Sequence, residues 1–94
     1  MTAWLYILAT KKNGPLYVGV TTNLAQRLQQ HRAKAMPSFT ARYNIGKLVY
    51  VEEFSDLKDA QENENRFKRW RRDWKVSLIE NFNPDWRDLS GSYL

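Results

Sequence analysis

The chain of 94 residues contains no cysteine. It can form neither a disulfide framework nor a thiolate metal site, and nothing in it favours an oxidising compartment. It also lacks an apolar run long enough to span a bilayer, and its N-terminal stretch, MTAWLYILATKK, has no basic residue ahead of the apolar segment, as a secretion signal would. Internal repeats and low-complexity tracts are absent as well. We therefore expect one cytoplasmic domain, residues 1–94, that does not associate with a membrane.

Positive charge is concentrated in a single decapeptide. From residue 66 to residue 75 there are six Lys or Arg and one Asp, so this segment has the same net charge, +5, as the whole protein. Such a cluster suggests a polyanionic partner, most commonly nucleic acid. Aromatic residues are interleaved with the charges, whereas a membrane-surface helix separates the two. The cations predicted to contact nucleic acid are Arg66, Lys68, Arg69, Arg71, Arg72 and Lys75. A solvated basic face without a partner is the alternative.

Two short runs rich in branched and aromatic residues, 4–9 and 16–20, flank an Asn-Gly turn and predict a β-hairpin. Residues 47–54 predict a third strand. Alternation places Tyr6 on one face of the first strand, and Tyr17 with Gly19 on one face of the second. Because the turn does not fix the register, the sequence leaves open whether the two tyrosines share a face. Gly19 leaves space beside Tyr17 for another group to approach the backbone.

The next segment predicts a helix with polar residues on its inward side. Asn23 is a typical N-cap, with Gln26 three residues later as in a capping box, and the helix is expected to reach about residue 33 or 34. Its inward stripe consists of Leu24, Arg27, Leu28 and His31. An arginine and the only histidine on such a stripe indicate one wall of a polar cleft. The alternative is that Arg27 extends along the helix edge and His31 is an ordinary boundary residue.

A long helical pattern from residue 57 to about residue 80 carries a carboxylate on its apolar stripe. The stripe consists of Leu57, Ala60, Glu64, Phe67, Arg71, Trp74 and Leu78. A buried leucine in place of Glu64 would stabilise the fold by about 2 kcal/mol, whereas an unpaired buried carboxylate costs several kcal/mol unless it is paired, protonated or bound to a metal. We expect Glu62 on the solvent side and Phe67 with Trp74 in the core. Arg72-Asp73 is a candidate break between two helices.

The segment 36–46 contains Pro, Ser, Asn and Gly without periodicity and predicts a loop. Its Arg42, beside Phe39 and Tyr43, can stack on bases of nucleic acid or tether the loop to the core, and the sequence does not distinguish the two. Pro84 ends the last helical pattern, and we expect residues 90–94 to be frayed.

Four elements follow one another in a distinctive order. They are Trp4-Leu5-Tyr6, Tyr17-Val18-Gly19, Arg27 ten residues after Tyr17, and Glu64 on a later helix. This arrangement resembles the GIY-YIG nuclease domain and spans nearly the whole chain. More narrowly, the segments LYVGVT, TARY, EEF, WRRDWK, LIE and NPDWRDL are similar to the small stand-alone GIY-YIG proteins of bacteria.

The resemblance implies an α/β fold of the α+β type, with a three-stranded antiparallel sheet flanked by helices. It also implies that the protein hydrolyses phosphodiester bonds of DNA with one divalent cation, Mg²⁺ or Mn²⁺, held by Glu64. Tyr6 or Tyr17 would position or deprotonate the attacking water, and Arg27 would neutralise charge on the phosphate. His31 is a candidate general base. A single carboxylate leaves most of the coordination shell to waters and substrate oxygens, as magnesium prefers.

The chain departs from the family pattern at two places. Trp4 replaces the glycine of the first motif, and Val76 stands about where the family has a late asparagine, with Asn81 and Asn83 nearby. The basic decapeptide supports a second hypothesis, a DNA- or RNA-binding module without catalysis that uses residues 66–75. For a nuclease, a small cleft with aromatic neighbours favours a flexible single strand over a rigid duplex.

Overall fold

A computed structural model describes residues 1–12, 14–32 and 46–93. The elements in chain order are β1 (Ala3–Ala9), β2 (Leu16–Thr21), α1 (Leu24–Arg32), β3 (Lys47–Phe54), α2 (Leu57–Lys68), α3 (Arg72–Phe82) and a short 3₁₀ helix (Ser90–Ser92). The α+β fold is confirmed, and each predicted strand agrees with the observed bounds to within one residue. Arg42, nearly all of the predicted loop 36–46 and the predicted end of the first helix lie outside the described residues.

The three strands form an antiparallel sheet in the order β2-β1-β3, so β1 is central and almost entirely buried. The register pairs Tyr6 with Gly19 and Leu8 with Tyr17. Because Tyr6 and Leu8 are two residues apart on one strand, their side chains and that of Tyr17 lie on the same face of the sheet. The register thus answers the question that the sequence left open.

A β-bulge in β3 changes the alternation of that strand. Ile7 pairs with Tyr50, but the next residue of β1, Leu8, pairs with Leu48, so Val49 is the extra residue. A bulge places two residues of one strand opposite one residue of its partner. Val49 and Tyr50 consequently both contribute to the same core cluster.

The two faces of the sheet are covered by different helices. The face carrying Tyr6 is covered by α1, and its buried cluster is Tyr6, Leu8, Leu24, Leu28, Leu48 and Val51. The opposite face is covered by α2, α3 and the C-terminal segment, and its cluster is Leu5, Ile7, Ala9, Val49, Tyr50, Phe67, Ile79 and Trp86. Full burial of each large apolar side chain in these layers stabilises the fold by about 1.5–3 kcal/mol.

The predicted long helix is in fact two helices, α2 and α3. The amides of Arg69 and Trp70 bond to carbonyls three residues back, which closes α2, and the extended Arg71 then begins α3 as its N-cap. The break therefore precedes the predicted candidate, Arg72-Asp73. The Arg72 guanidinium donates a hydrogen bond of 2.7 Å to the carbonyl of Gly14 and ties the break to the β-hairpin turn.

Because of this break, the predicted apolar stripe does not continue from α2 into α3. Phe67, on α2, is 4% exposed and belongs to the core as predicted. Trp74, predicted in the core, is 51% exposed, and the Arg71 side chain is also largely exposed. A stripe of period 3.6 continues only while the helix does, so the break turns α3 to a new face. Leu57, at the other end of the stripe, is also exposed.

The C-terminal segment is packed as far as Ser90, whereas residues 91–93, within the end that we expected to be frayed, are exposed. Trp86 is fully buried with a φ of 54°, and Ser90 is also buried. The amide of Leu89 donates to the carbonyl of Leu48, and the amide of Leu48 donates to Asp88 Oδ1. These bonds satisfy both backbone groups of one residue on the outer edge of β3. Within the described ranges, no helix is long and apolar enough to cross a membrane.

Candidate active site

Three aromatic rings meet on the sheet face that α1 covers. The ring centroids of Tyr6 and Tyr17 are 6.3 Å apart, those of Tyr6 and His31 are 5.8 Å apart, and those of Tyr17 and His31 are 5.2 Å apart. The Tyr6 hydroxyl is hydrogen-bonded to His31 Nε2 at 3.1 Å. We call Tyr6, Tyr17 and His31 the ring group. Tyr6 is fully buried at its centre, while Tyr17 is partly exposed on the edge strand β2.

Gly19 makes this arrangement sterically possible. It lies opposite Tyr6 in the sheet, and a Cβ atom at Gly19 would be 2.5 Å from the Tyr6 hydroxyl oxygen and 2.6 Å from Cζ of that ring. The space that the missing side chain of Gly19 leaves is thus filled by Tyr6.

The first helix supplies the His31 ring and places Arg27 beside it. Asn23 Oδ1 accepts a hydrogen bond from the amide of Gln26, and this confirms the predicted N-cap of α1. Leu24 and Leu28 are buried and anchor the helix to the sheet. Since residues three and four apart share a helix face, this anchoring directs the partly exposed Arg27 and the buried His31 to the ring group.

Burial and the charge of Arg27 control the protonation of Tyr6 and His31. Burial raises the pKa of Tyr6 well above its ordinary value, and the neighbouring Tyr17 raises it further, whereas Arg27 acts in the opposite direction by charge and hydrogen bonding. Tyr6 therefore stays protonated at neutral pH. Burial, followed by repulsion from Arg27, lowers the pKa of His31. The imidazole is consequently neutral at neutral pH and has one nitrogen that can accept a proton.

The fifth predicted catalytic residue, Glu64, lies on α2. Its side chain is 19% exposed and forms an ion pair of 3.4 Å with Lys68, while Glu62 is exposed as predicted. In the part of the chain that the structure describes, no hydrogen bond or ion pair joins Glu64 to the rings or to Arg27. The structure thus brings four predicted residues together and leaves Glu64 paired within its own helix.

Residues 2–77 match the sequence model described as the GIY-YIG catalytic domain. The chain belongs to the GIY-YIG family. It therefore carries a nuclease-type domain. Tyr6, Tyr17 and Gly19, which the sequence resemblance assigns to the two motifs of the family, lie side by side on one sheet face.

Bacterial relatives resemble most of this GIY-YIG chain. A UPF0213 protein of Staphylococcus haemolyticus is 35% identical over 77 residues, which cover 82% of this chain and 93% of the relative. A UPF0213 protein of Clostridium perfringens is 36% identical over 76 residues, 81% of each chain. The solution NMR structure of the UPF0213 protein of Bacillus halodurans is 28% identical with a TM-score of 0.53, and the match covers 85% of this chain and 84% of that one. These names state neither an activity nor a substrate.

The late asparagine of the GIY-YIG pattern has a structural candidate in Asn83. This residue is buried at the end of α3, and its amide nitrogen donates to the carbonyls of Val49 and Arg87. Its Oδ1 accepts from the amide of Arg87. Asn83 thus joins the extra residue of the β3 bulge to the C-terminal segment, on the sheet face opposite the rings. Neither this contact nor the burial of Trp86 was predicted, because both depend on contacts distant in sequence.

The residues present fit a metal site with a single protein ligand. Among the described residues, no group of three or more His, Cys, Asp or Glu side chains could hold a metal ion together. GIY-YIG nucleases generally use divalent metals, and Mg²⁺ accepts one carboxylate because it retains several waters. Glu64 suits this role because its partner Lys68 is 55% exposed and can move away when a cation binds.

The predicted nucleic-acid contacts lie along the end of α2 and the start of α3. Five of the six cations of segment 66–75 are exposed, and Lys75 is partly buried over the ring of Phe67. Arg71 is 3.5 Å from Asp73, so one acidic group partly offsets this surface.

Proposed function

We propose that this protein is a divalent-metal-dependent endonuclease that hydrolyses phosphodiester bonds in DNA. The observation that supports the proposal most directly is the contact of Tyr6, Tyr17 and His31 beside Arg27, in a chain that belongs to the GIY-YIG family. Buried polar rings that are hydrogen-bonded to each other and have shifted pKa values, as Tyr6 and His31 do, are typical of a functional site.

The protonation of the rings divides the chemical roles among them. Tyr6 cannot be the general base, because burial raises its pKa and keeps it protonated. Its role is to hold His31 in place through their 3.1 Å hydrogen bond. Tyr17 is the more exposed tyrosine and is assigned to orienting the attacking water. Neutral His31, whose ring centroid is 5.2 Å from that of Tyr17, is assigned to accepting the proton at Nδ1, in the tautomer whose Nε2–H donates to the Tyr6 hydroxyl oxygen.

Arg27 is assigned to the phosphate. A phosphodiester resists attack because its negative charge repels the nucleophile, and a fixed guanidinium lowers the free energy of the transition state where that charge increases. Arg27 is partly exposed beside the rings, so its charge is available to a substrate bound there.

Glu64 is assigned to holding the divalent cation, Mg²⁺ or Mn²⁺. When bound, the ion supplies positive charge that stabilises the phosphate in the transition state and orients it. The protein's own contribution is a partly buried carboxylate whose partner, Lys68, is exposed and replaceable. The ion pair with Lys68 also keeps the unliganded carboxylate from being buried without a partner.

A cleavage assay with matched variants tests the proposal. Labelled single- and double-stranded DNA are incubated with the protein and Mg²⁺ or Mn²⁺. We expect Arg27→Ala and Glu64→Ala each to reduce the cleavage rate by about 100-fold or more, the effect of removing one strong transition-state contact. Glu62→Ala is the control, because Glu62 is an exposed carboxylate on the same helix. A wild-type protein that cuts neither form, or variants that cut at the wild-type rate, would contradict the proposal.

The same assay tests the preferred strand form. A small site with aromatic neighbours admits a flexible strand more easily than a rigid duplex, so we expect faster cleavage of single-stranded DNA. Equal rates on both forms would remove the preference without affecting the proposed chemistry.

A second candidate, a DNA- or RNA-binding module without catalysis, is favoured by the exposure of five cations in segment 66–75. It predicts binding that weakens steeply with salt, needs no metal and survives Glu64→Ala. Cleavage by the wild type that is lost in Glu64→Ala would exclude it.

A further inference from the structure

A row of three aromatic rings runs from the core to the surface across the α2–α3 break. Phe67 is buried, Trp70 is partly exposed and Trp74 is 51% exposed. The ring centroids of Phe67 and Trp70 are 5.4 Å apart, and those of Trp70 and Trp74 are 6.2 Å apart at an interplanar angle of 84°. Trp74 is therefore an exposed ring supported by a chain of contacts into the core. Because these contacts already restrict the Trp74 side chain, a ligand that binds to it loses less affinity to the ordering of that side chain.

An open groove of about 290 Å³ lies beside this ring. It is lined by Trp70, Trp74, Ser77, Leu78 and Asn81. The floor is therefore mainly aromatic and aliphatic, while Ser77 and Asn81, one helical turn apart and both exposed, place a hydroxyl and an amide at its side. This combination suits a flat heterocycle with hydrogen-bonding groups on its edge.

One cation lies at the groove. The Arg71 guanidinium is 4.8 Å from the centroid of the Trp74 ring. The other exposed cations of the basic segment 66–75 belong to the same stretch of chain, at the end of α2 and the start of α3. A partner that complements this surface would carry repeated negative groups for the cations and flat rings for Trp74.

We propose that the Trp74 groove binds an unpaired base of single-stranded nucleic acid, and that the neighbouring phosphates contact the cations of segment 66–75. Every base has a face that stacks on tryptophan, so the subsite accepts any sequence but requires a base that is not paired. An acidic protein surface would match the charges but would not use a flat exposed ring in this way. The inference rests on the proposed function only for the choice of DNA as the test ligand.

The experiment measures equilibrium binding of a fluorescent thymidine oligonucleotide in EDTA, so that no cleavage occurs and binding is separated from catalysis. A second oligonucleotide has the same number of phosphates but abasic sites in place of the bases. We expect the wild type to bind the thymidine strand at least about five-fold more tightly than the abasic strand, the lower end of the effect of one stacked base. In Trp74→Ala this ratio should fall to about one, and in Trp74→Phe it should be intermediate.

Salt dependence separates the stacking contact from the phosphate contacts. We expect Trp74→Ala to leave the slope of log K against log salt unchanged, because it removes no charge. Arg69→Ala, which removes an exposed cation of segment 66–75, should reduce the magnitude of that slope by about 0.7, the value for one phosphate contact on a single strand, and should weaken both oligonucleotides equally. An unchanged slope in Arg69→Ala would contradict the proposed phosphate contact of this residue.

Phe82→Ala is the matched control, since Phe82 is also on α3 and 49% exposed but packs against Tyr50. It should bind both strands as the wild type does. Thermal unfolding of each variant shows that it is folded. If the wild type does not distinguish the two strands, or Trp74→Ala keeps the wild-type ratio, the proposal is wrong, whether or not the protein cleaves DNA. Failure to bind either strand would also overturn it and would direct the search to acidic proteins.

Discussion

At the scale of single residues, the site depends on one contact between a glycine and a buried tyrosine. Tyr6 can lie in the centre of the sheet face only because its neighbour across β1 and β2, Gly19, has no side chain. The sequence predicted space beside Tyr17 but not its occupant, because the turn left the register open. Once the register is known, the contact of Tyr6 with Tyr17 follows from the alternation of the strands, and the contact with His31 follows from the packing of α1 on the same face.

Replacing Gly19 should therefore disturb the ring group more than its small change in volume suggests. A Cβ atom at this position would meet the buried ring of Tyr6, so we expect Gly19→Ala to lower the free energy of unfolding by about 1–3 kcal/mol. Gly91→Ala is the control, because nothing lies within 4 Å of the added atom. Urea unfolding of both variants measures the difference, and equal stabilities would show that Tyr6 can move aside without cost.

The stability of the fold should also depend on His31 in mildly acidic solution. Its neighbours include Tyr6, Tyr17 and Arg27, and burial together with Arg27 lowers its pKa below the ordinary 6.5. As the pH falls below about 6.5, the unfolded chain binds a proton that the folded protein does not yet bind. The free energy of unfolding should therefore fall until the pH reaches the lowered pKa of the folded state.

His31→Gln removes the titrating group and should remove this part of the pH dependence. Denaturant unfolding of both proteins between pH 7.5 and pH 5 measures it. If the difference in stability between the two proteins stays constant over this range, the pKa of His31 is not lowered by folding.

At the scale of elements, the strands and α1 were predictable, while the break between α2 and α3 was displaced from its candidate. Alternating apolar residues and an N-cap are local signals, and both were confirmed in the structure. Residues 69–71 contain neither Gly nor Pro, so local propensity gives no reason to end α2 there. The break depends on contacts distant in sequence, among them the hydrogen bond from Arg72 to Gly14. Consequently Phe67 was placed correctly and Trp74 was not.

Two alanine variants test whether Phe67 is in the core and Trp74 is at the surface. Phe67→Ala removes a buried ring from the core and should cost about 3–5 kcal/mol of stability. Trp74→Ala removes a larger side chain, but one that is half exposed and contacts mainly Trp70 and Arg71, so we expect a loss of about 1 kcal/mol. Urea unfolding compares the two. A similar large loss in both would mean that Trp74 packs in the core, as the uninterrupted stripe predicted.

At the scale of the whole molecule, the proposed catalytic residues are distributed over separate layers. Tyr6, Tyr17 and His31 lie on the sheet face covered by α1, whereas Glu64 belongs to α2, whose Phe67 packs on the opposite face. Sequence motifs predicted these residue types and their order along the chain. They could not predict that four would lie together while the fifth is paired with Lys68. In the proposed function, the substrate and the cation connect the two parts.

Because of this separation, we expect substitutions of Arg27 and Glu64 to be independent in their effects on stability but coupled in their effects on the cleavage rate. In the described part of the chain, Arg27 and Glu64 share no hydrogen bond or ion pair, so their alanine substitutions should change the free energy of unfolding additively, within about 0.5 kcal/mol. If both residues serve one reaction, the double variant should cleave DNA hardly more slowly than either single variant, because residues that act as a unit are not additive in rate.

A double-mutant cycle measured by urea unfolding and by kcat/KM tests both parts. Coupling in stability would mean that the two side chains interact in the free protein, and losses in rate that multiply fully would mean that Arg27 and Glu64 act in independent steps. Additive stability together with coupled rates is the pattern expected when the two layers cooperate only through a bound substrate, and it would distinguish a site completed by its ligand from one already assembled in the fold.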